Sequence, residues 1–203
     1  ALAVGFETTD APTETVRATG HVYKHVLSVP WVPALGLQFK VGVDGMGVVM
    51  VLLTALTIFT GVCVSFGVKD RPKEFFANLL ALVTGVFGVF VSLDLFFYYF
   101  FYELAVIPMF LLIGCWGSTT RTMSRDYASM KLVLMLTTGA VFALLGLLAL
   151  YAKAGTFDMV RLEQLAATGT FSRAFQLAWF PPVFLGFAAL VPMWPLHSWS
   201  PGG

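Results

Sequence analysis

The stretch that constrains this chain most is residues 96–116, FFYYFFYELAVIPMFLLIGCW, 21 residues of aromatic ring and hydrocarbon with one carboxylate, Glu103, near the middle. A run this long and this apolar reads as a membrane-spanning helix, since about 20 apolar residues cross the hydrocarbon core. A carboxylate at that depth costs about 3 kcal/mol on insertion scales. Ionisable groups inside a membrane face a partner, a hydrated cavity or a reaction path. The function of the chain therefore turns on Glu103.

Composition supports the membrane reading. The 203 residues are 58% hydrophobic and 11% charged, with mean hydropathy +0.84. Soluble domains carry about 25% charged residues. The net charge of +1 implies no nucleic-acid or acidic partner. Cys63 and Cys115 lie in apolar runs without His or Cys at ligand spacing, so they read as buried small hydrophobes rather than a disulfide or metal pair. The chain starts without Met and ends abruptly at HSWSPGG, which reads as part of a longer protein. Residues 1–6 are too short an apolar run for a signal peptide.

The expected class is an all-α polytopic membrane protein of about five transmembrane helices. Residues 1–44 are polar and mixed, and read as an extramembrane segment. Val29-Pro30-Trp31-Val32-Pro33 resembles an interfacial entry. His21 and His25, four apart, would share a face of a helix; a solvated surface pair is the bland reading and a metal site the sharper one. Spans are expected at about 45–68, 75–93, 96–116, 127–151 and 177–199. The join between the second and third, at Ser92-Leu93-Asp94, must be tight. Between the fourth and fifth, residues 157–165 alternate as a short surface helix would. Gly139 and Gly146 offer close-packing positions in the fourth span.

Lys69, Arg71 and Lys73 follow the first span, and Arg121 and Arg125 follow the third. Basic short loops mark the cytoplasmic side. Residues 1–44 are then expected on the periplasmic side, against the weaker pull of Lys153, Arg161 and Arg173 in the longer loop.

No glycine-rich phosphate loop or cysteine cluster is present, so any chemistry falls to ionisable groups inside the membrane. Three stand out. Glu103 is suited to accept and release a proton; alternatively it is a neutral acid bonded to a backbone carbonyl freed by Pro108. Lys131, near the start of the fourth span, either snorkels to the surface or points inward to pair with Glu103. His197 follows VPMWPLH, whose prolines break the backbone ladder and mark either a hydrated path or an interfacial end flanked by Trp194 and Trp199.

Two strings taken together, FFYYFFYELAVIPMFLLIGCWG and FLGFAALVPMWPLHSW, resemble the subunit M family of bacterial NADH:quinone oxidoreductase (respiratory complex I), counterpart of mitochondrial NADH dehydrogenase subunit 4. The matched features are Glu103 after an aromatic run, then Pro108-Met109 and Trp116-Gly117. Val43-Asp44-Gly45, Lys131 and the Pro195-Leu196-His197-x-Trp199 pattern complete the set. The resemblance covers roughly residues 29–200. It implies part of a larger antiporter-like bundle with a Pro-broken helix, in a bacterial inner membrane. It further implies a proton relay entered at Glu103 and partners of the related L and N types in the bilayer. No cofactor is implied in this chain; NADH, FMN, iron–sulfur clusters and quinone belong to the whole complex. Mrp-type cation/proton antiporter and membrane-bound hydrogenase subunits share the fold but fit the aromatic–Glu stretch less well.

The chain departs from the family pattern at one telling place. The lysine that the family carries on its broken helix falls at Leu190. The expected partner of Glu103 is therefore missing at that position, which leaves open a non-pumping scaffold or a relay using another cation.

Overall fold

A computed structural model describes residues 13–16, 19–33, 36–117 and 124–202. Expectations placed on residues 1–12 and on Arg121 lie outside the described residues. The element order is β1 (Thr13–Thr15), β2 (Val22–Val32), β3 (Leu37–Val43), α1 (Gly45–Ser65), α2 (Pro72–Val91), α3 (Leu95–Trp116), α4 (Arg125–Ala154), α5 (Met159–Ala167), α6 (Arg173–Leu190) and a 3-10 helix, Leu196–Gly202. α1 to α4 are each long and apolar enough to cross a membrane. They expose large apolar side chains such as Leu52, Leu56 and Phe59 of α1. A helix that is apolar all round sits in lipid or in a larger bundle.

Local chemistry sets the helix ends. Asp44 caps α1 by accepting from Gly47 N–H at 2.6 Å. Pro72 opens α2, where its missing N–H costs nothing, and Glu74 follows in the first turn. Asp94 opens α3, accepting from Phe96 N–H at 2.9 Å. The fifth expected span is helical only as far as Leu190. Pro192 has no N–H for the carbonyl of Ala188, which accepts from Met193 N–H instead. The Ala189 carbonyl is taken by the indole N–H of Trp199 at 2.8 Å. Protein thus satisfies the break, as backbone at membrane depth requires.

The chain divides into two compact units: Ala1–Val68 with Val86–Tyr102 and Leu150–Ser172, and Lys69–Gly85 with Glu103–Ala149 and Arg173–Gly203. The first holds what the sequence reading lacked, a three-stranded antiparallel sheet in the order β1-β2-β3. β2 meets β1 only through Val22, Tyr23 and Lys24, so Pro30 sits where β2 has one partner strand and needs no second ladder. The register shift after Lys24 falls at His25, whose φ is 56°. The 92–94 join is tight, as expected. Leu93 N–H donates to the Lys40 carbonyl, and Met159 N–H donates to that of Leu93, each at 2.9 Å. Val16, Leu93 and Val160 form a small apolar core there, with Tyr23 and Val26 against it. The short helix expected within 157–165 is α5, capped by Asp158.

In the second unit α4 and α6 approach closely. A Cβ on Gly186 would lie 2.6 Å from the Ala143 nitrogen, and one on Gly139 would lie 2.6 Å from Ala189 Cβ. Gly146 faces Val183 in the same way. Small residues at such spacing let membrane helices pack backbone to backbone. Trp116 of α3 donates to the Asp70 carbonyl at 2.8 Å and lies under Arg71, while Arg125 donates to the Cys115 carbonyl at 3.0 Å. One cysteine reading is corrected. Cys63 is exposed on α1 and Cys115 is half-buried, because these helices turn apolar side chains outward as well as inward.

Candidate functional site

α3 carries Glu103. Aromatic and aliphatic residues fill the turns on either side, and Pro108 interrupts the hydrogen-bond ladder one turn later without ending the helix. Glu103 is half-buried. Its Oε1 is enclosed and has no hydrogen-bond partner, so the carbonyl freed by Pro108 does not hold that oxygen. A buried carboxyl oxygen left unpaired is costly, and native structures keep such groups mainly where a proton, ion or water is handled.

Lys131 is half-buried near the start of α4, with Nζ 5.8 Å from the ring centre of Tyr127. The side chain reaches back one turn toward the helix start, the direction that helical side chains favour. No ion pair joins it to Glu103 among the described residues. Leu190 ends α6, so the position that the resemblance gives to a lysine is the point where the helix breaks. His197 lies in the 3-10 helix beyond that break and is exposed. The three site residues expected from sequence are all placed, but no direct bond unites them.

A second polar cluster, in the unit with the sheet, escaped the sequence reading. Lys40 of β3 is 4% exposed. Its Nζ lies 2.6 Å from Glu14 and 2.8 Å from Asp158, and Gln38 donates to the same Asp158 oxygen at 3.1 Å. Burial works against the Lys40 charge, but the two carboxylates outweigh it and hold the ammonium above its ordinary range. Asp94 is fully buried, and burial pushes its carboxyl up against the opposing pull of the Phe96 and Phe97 N–H groups. Glu163 of α5 accepts from Thr19 and Tyr23 and pairs with His21 at 2.9 Å. Burial, then the Glu163 charge, pushes the Tyr23 hydroxyl up to about 12. His21 thus joins a carboxylate. His25 lies in the bulge with an enclosed, unpaired Nε2. Among the described residues no group of three metal-ligating side chains occurs. His21 was singled out in the sequence, and Asp158, just before the surface helix, could have signalled a cap. Lys40 gave no signal, because its partners come from residues 14 and 158.

The chain is similar to NADH-quinone oxidoreductase subunit M of Rhodobacter capsulatus, 38% identical over 176 residues, which are 82% of this chain and 34% of that protein. It is 34% identical to NADH-ubiquinone oxidoreductase chain 4 of Marchantia polymorpha, over 88% of this chain and 35% of that one. Its fold matches a chain of respiratory complex I from Thermus thermophilus with bound NADH. The TM-score is 0.74 at 28% identity, over 92% of this chain and 38% of that chain. The chain thus spans about a third of the length of the curated relatives it matches. The NADH:quinone oxidoreductase/Mrp antiporter transmembrane family model matches residues 92–203, more than half of the chain, and takes in Glu103, Lys131, Leu190 and His197. On this match and these relatives, the chain belongs to the NADH:quinone oxidoreductase/Mrp antiporter transmembrane family.

Proposed function

We propose that this chain is part of an antiporter-like membrane-arm subunit of a bacterial NADH:quinone oxidoreductase and carries protons within the inner membrane. The carrying observation is Glu103, a half-buried carboxylate at the middle of α3 with one enclosed, unpaired oxygen. Such a group can take a proton from one side and release it to the other once a neighbouring charge changes. Lys131 and His197 are the other proton-handling residues of the reading. NADH, FMN, iron–sulfur clusters and quinone are assigned to other subunits, with antiporter-like L- and N-type subunits as neighbours in the bilayer. Residues 1–44 are assigned to the periplasmic side, and the loop of Lys69, Arg71 and Lys73 to the cytoplasmic side, by the basic-loop rule.

The test is co-purification. The full-length protein, affinity-tagged and extracted in mild detergent, is expected to bring with it an NADH-oxidising arm and NADH–quinone reductase activity. Recovery with hydrogenase or cation-antiporter subunits instead would assign it to those relatives.

One observation favours a second reading, a scaffold that no longer pumps: Leu190 in place of a cation at the break in α6. Restoring the charge with Leu190→Lys separates the two. A rerouted relay predicts no gain in protons moved per NADH; a dormant scaffold predicts a gain.

A further inference from the structure

We propose that Asp94 Oδ2 is a proton-binding site, and that the side chain stands at neutral pH as the neutral acid where β3, the start of α3 and the start of α5 join. The site lies wholly within the unit that holds the sheet and does not depend on Glu103 or on the proton-carrying reading. Asp94 is fully buried, and its two oxygens differ. Oδ1 accepts from Phe96 N–H at 2.9 Å and from Phe97 N–H at 3.4 Å. Oδ2 is enclosed and has no hydrogen-bond partner. This chain itself shuts that oxygen away, so no group from elsewhere in a longer protein reaches it unless the join opens. An enclosed oxygen without a bonded donor costs far less in a neutral acid than in a carboxylate.

What faces Asp94 acts in the same direction. Asp94 and Asp158 are partners in an antiparallel bridge. Leu95 N–H donates to the Phe157 carbonyl and Met159 N–H to that of Leu93, each at 2.9 Å. The two aspartates are therefore a non-hydrogen-bonded pair, the kind whose side chains stand closer together. Like charges directly opposite one another repel. Asp158 is the member held as an anion. Its Oδ2 accepts from Lys40 at 2.8 Å and Gln38 at 3.1 Å, and its Oδ1 from Val160 N–H at 3.0 Å. Lys40 also meets Glu14 at 2.6 Å, and no ion pair reaches Asp94 among the described residues. With all three ionised, Glu14, Asp94 and Asp158 would share one ammonium; a proton on Asp94 relieves the excess. Burial, aided by the Asp158 charge, pushes the Asp94 carboxyl up against the backbone N–H groups of Phe96, Phe97 and Gln38. A metal ion is a poorer occupant, since among the described residues no three acidic, His or Cys side chains gather to hold one. Loss of the proton sets a second anion against Asp158 inside the join from which α3 starts.

The test is infrared difference spectroscopy on the full-length protein in detergent, titrated from acid to alkaline pH, unaltered and as Asp94→Asn. The site predicts a carboxylic-acid C=O band that is present at neutral pH, gives way to carboxylate bands in alkali, and is missing from Asp94→Asn. A band lost through Asp94→Asn that is seen only in acid, with the carboxylate already formed at neutral pH, overturns the proposal. So does a variant whose neutral-pH acid bands match those of the unaltered protein. Asp158→Asn supplies a second arm. Removing the facing charge makes Asp94 easier to ionise, so the loss of the acid band is expected at lower pH than in the unaltered protein. An unmoved titration contradicts the site. If Asp94→Asn fails to fold, the comparison of the unaltered protein with Asp158→Asn decides the matter.

Discussion

Asp94 is a carboxylate that fixes local structure, although one of its oxygens, like Glu103 Oε1, is enclosed without a partner. Its side chain caps α3, and its burial raises the carboxyl. In the full-length protein Asp94→Asn is expected to keep the cap and Asp94→Ala to lose about 1 kcal/mol, measured by thermal unfolding in detergent at neutral pH. The raised carboxyl also sets a sign. The folded state favours the protonated acid, so the aspartate's contribution is best below the unfolded value of 3.8 and falls as pH rises through the folded one. Any advantage of Asn over Asp therefore appears at neutral pH and vanishes in acid.

Lys40 behaves as a held cation. Lys40→Met leaves Asp158 Oδ2 with Gln38 alone and Glu14 without its ammonium partner, and is expected to cost about 2 kcal/mol in the same assay. Its folded value lies above 10.5, so its contribution is complete at neutral pH and fades only as pH climbs through that raised value. Glu103 was legible in the sequence because a carboxylate stands out in a run of hydrocarbon. Lys40 was not. A lysine in a polar, mixed segment looks solvated until the strand pairing and α5 enclose it.

At the scale of elements, the long helices were readable because each must expose apolar side chains over a membrane's width. The spans expected at 45–68, 75–93, 96–116 and 127–151 correspond to α1 to α4 with shifted ends. The hairpin was hidden. β2 mixes Lys24, His25 and Ser28 with Leu27, Val29 and Trp31, and both its faces are partly exposed, so no clean alternation marks it as a strand. What fixes it is remote: Glu163 holds Thr19, His21 and Tyr23, and Leu93 lies against β3. The break after α6 was legible from Pro192 and Pro195. That Trp199 would satisfy it was not, since that bond depends on the path of the broken segment. The contact of α4 with α6 makes its own prediction. A side chain at Gly186 meets the backbone of Ala143 and Gly139, which cannot swing aside. Gly186→Val is expected to destabilise the full-length protein by about 1 to 3 kcal/mol, whereas Gly67→Ala, at a position with open space around it, stays within about 0.5 kcal/mol. Unfolding in detergent compares the two.

For the whole molecule, sequence and fold together show membership of the family, and the proposed proton transfer is centred on Glu103. The proposed relay needs a cation from elsewhere, because no ion pair joins Glu103 to Lys131 among the described residues and Leu190 stands at the helix break. The direct measurement is the number of protons translocated per NADH oxidised by the assembled complex in sealed vesicles, with and without Glu103→Gln. The account predicts that the substitution lowers this ratio while the complex still assembles. An unchanged ratio in an intact complex would contradict it.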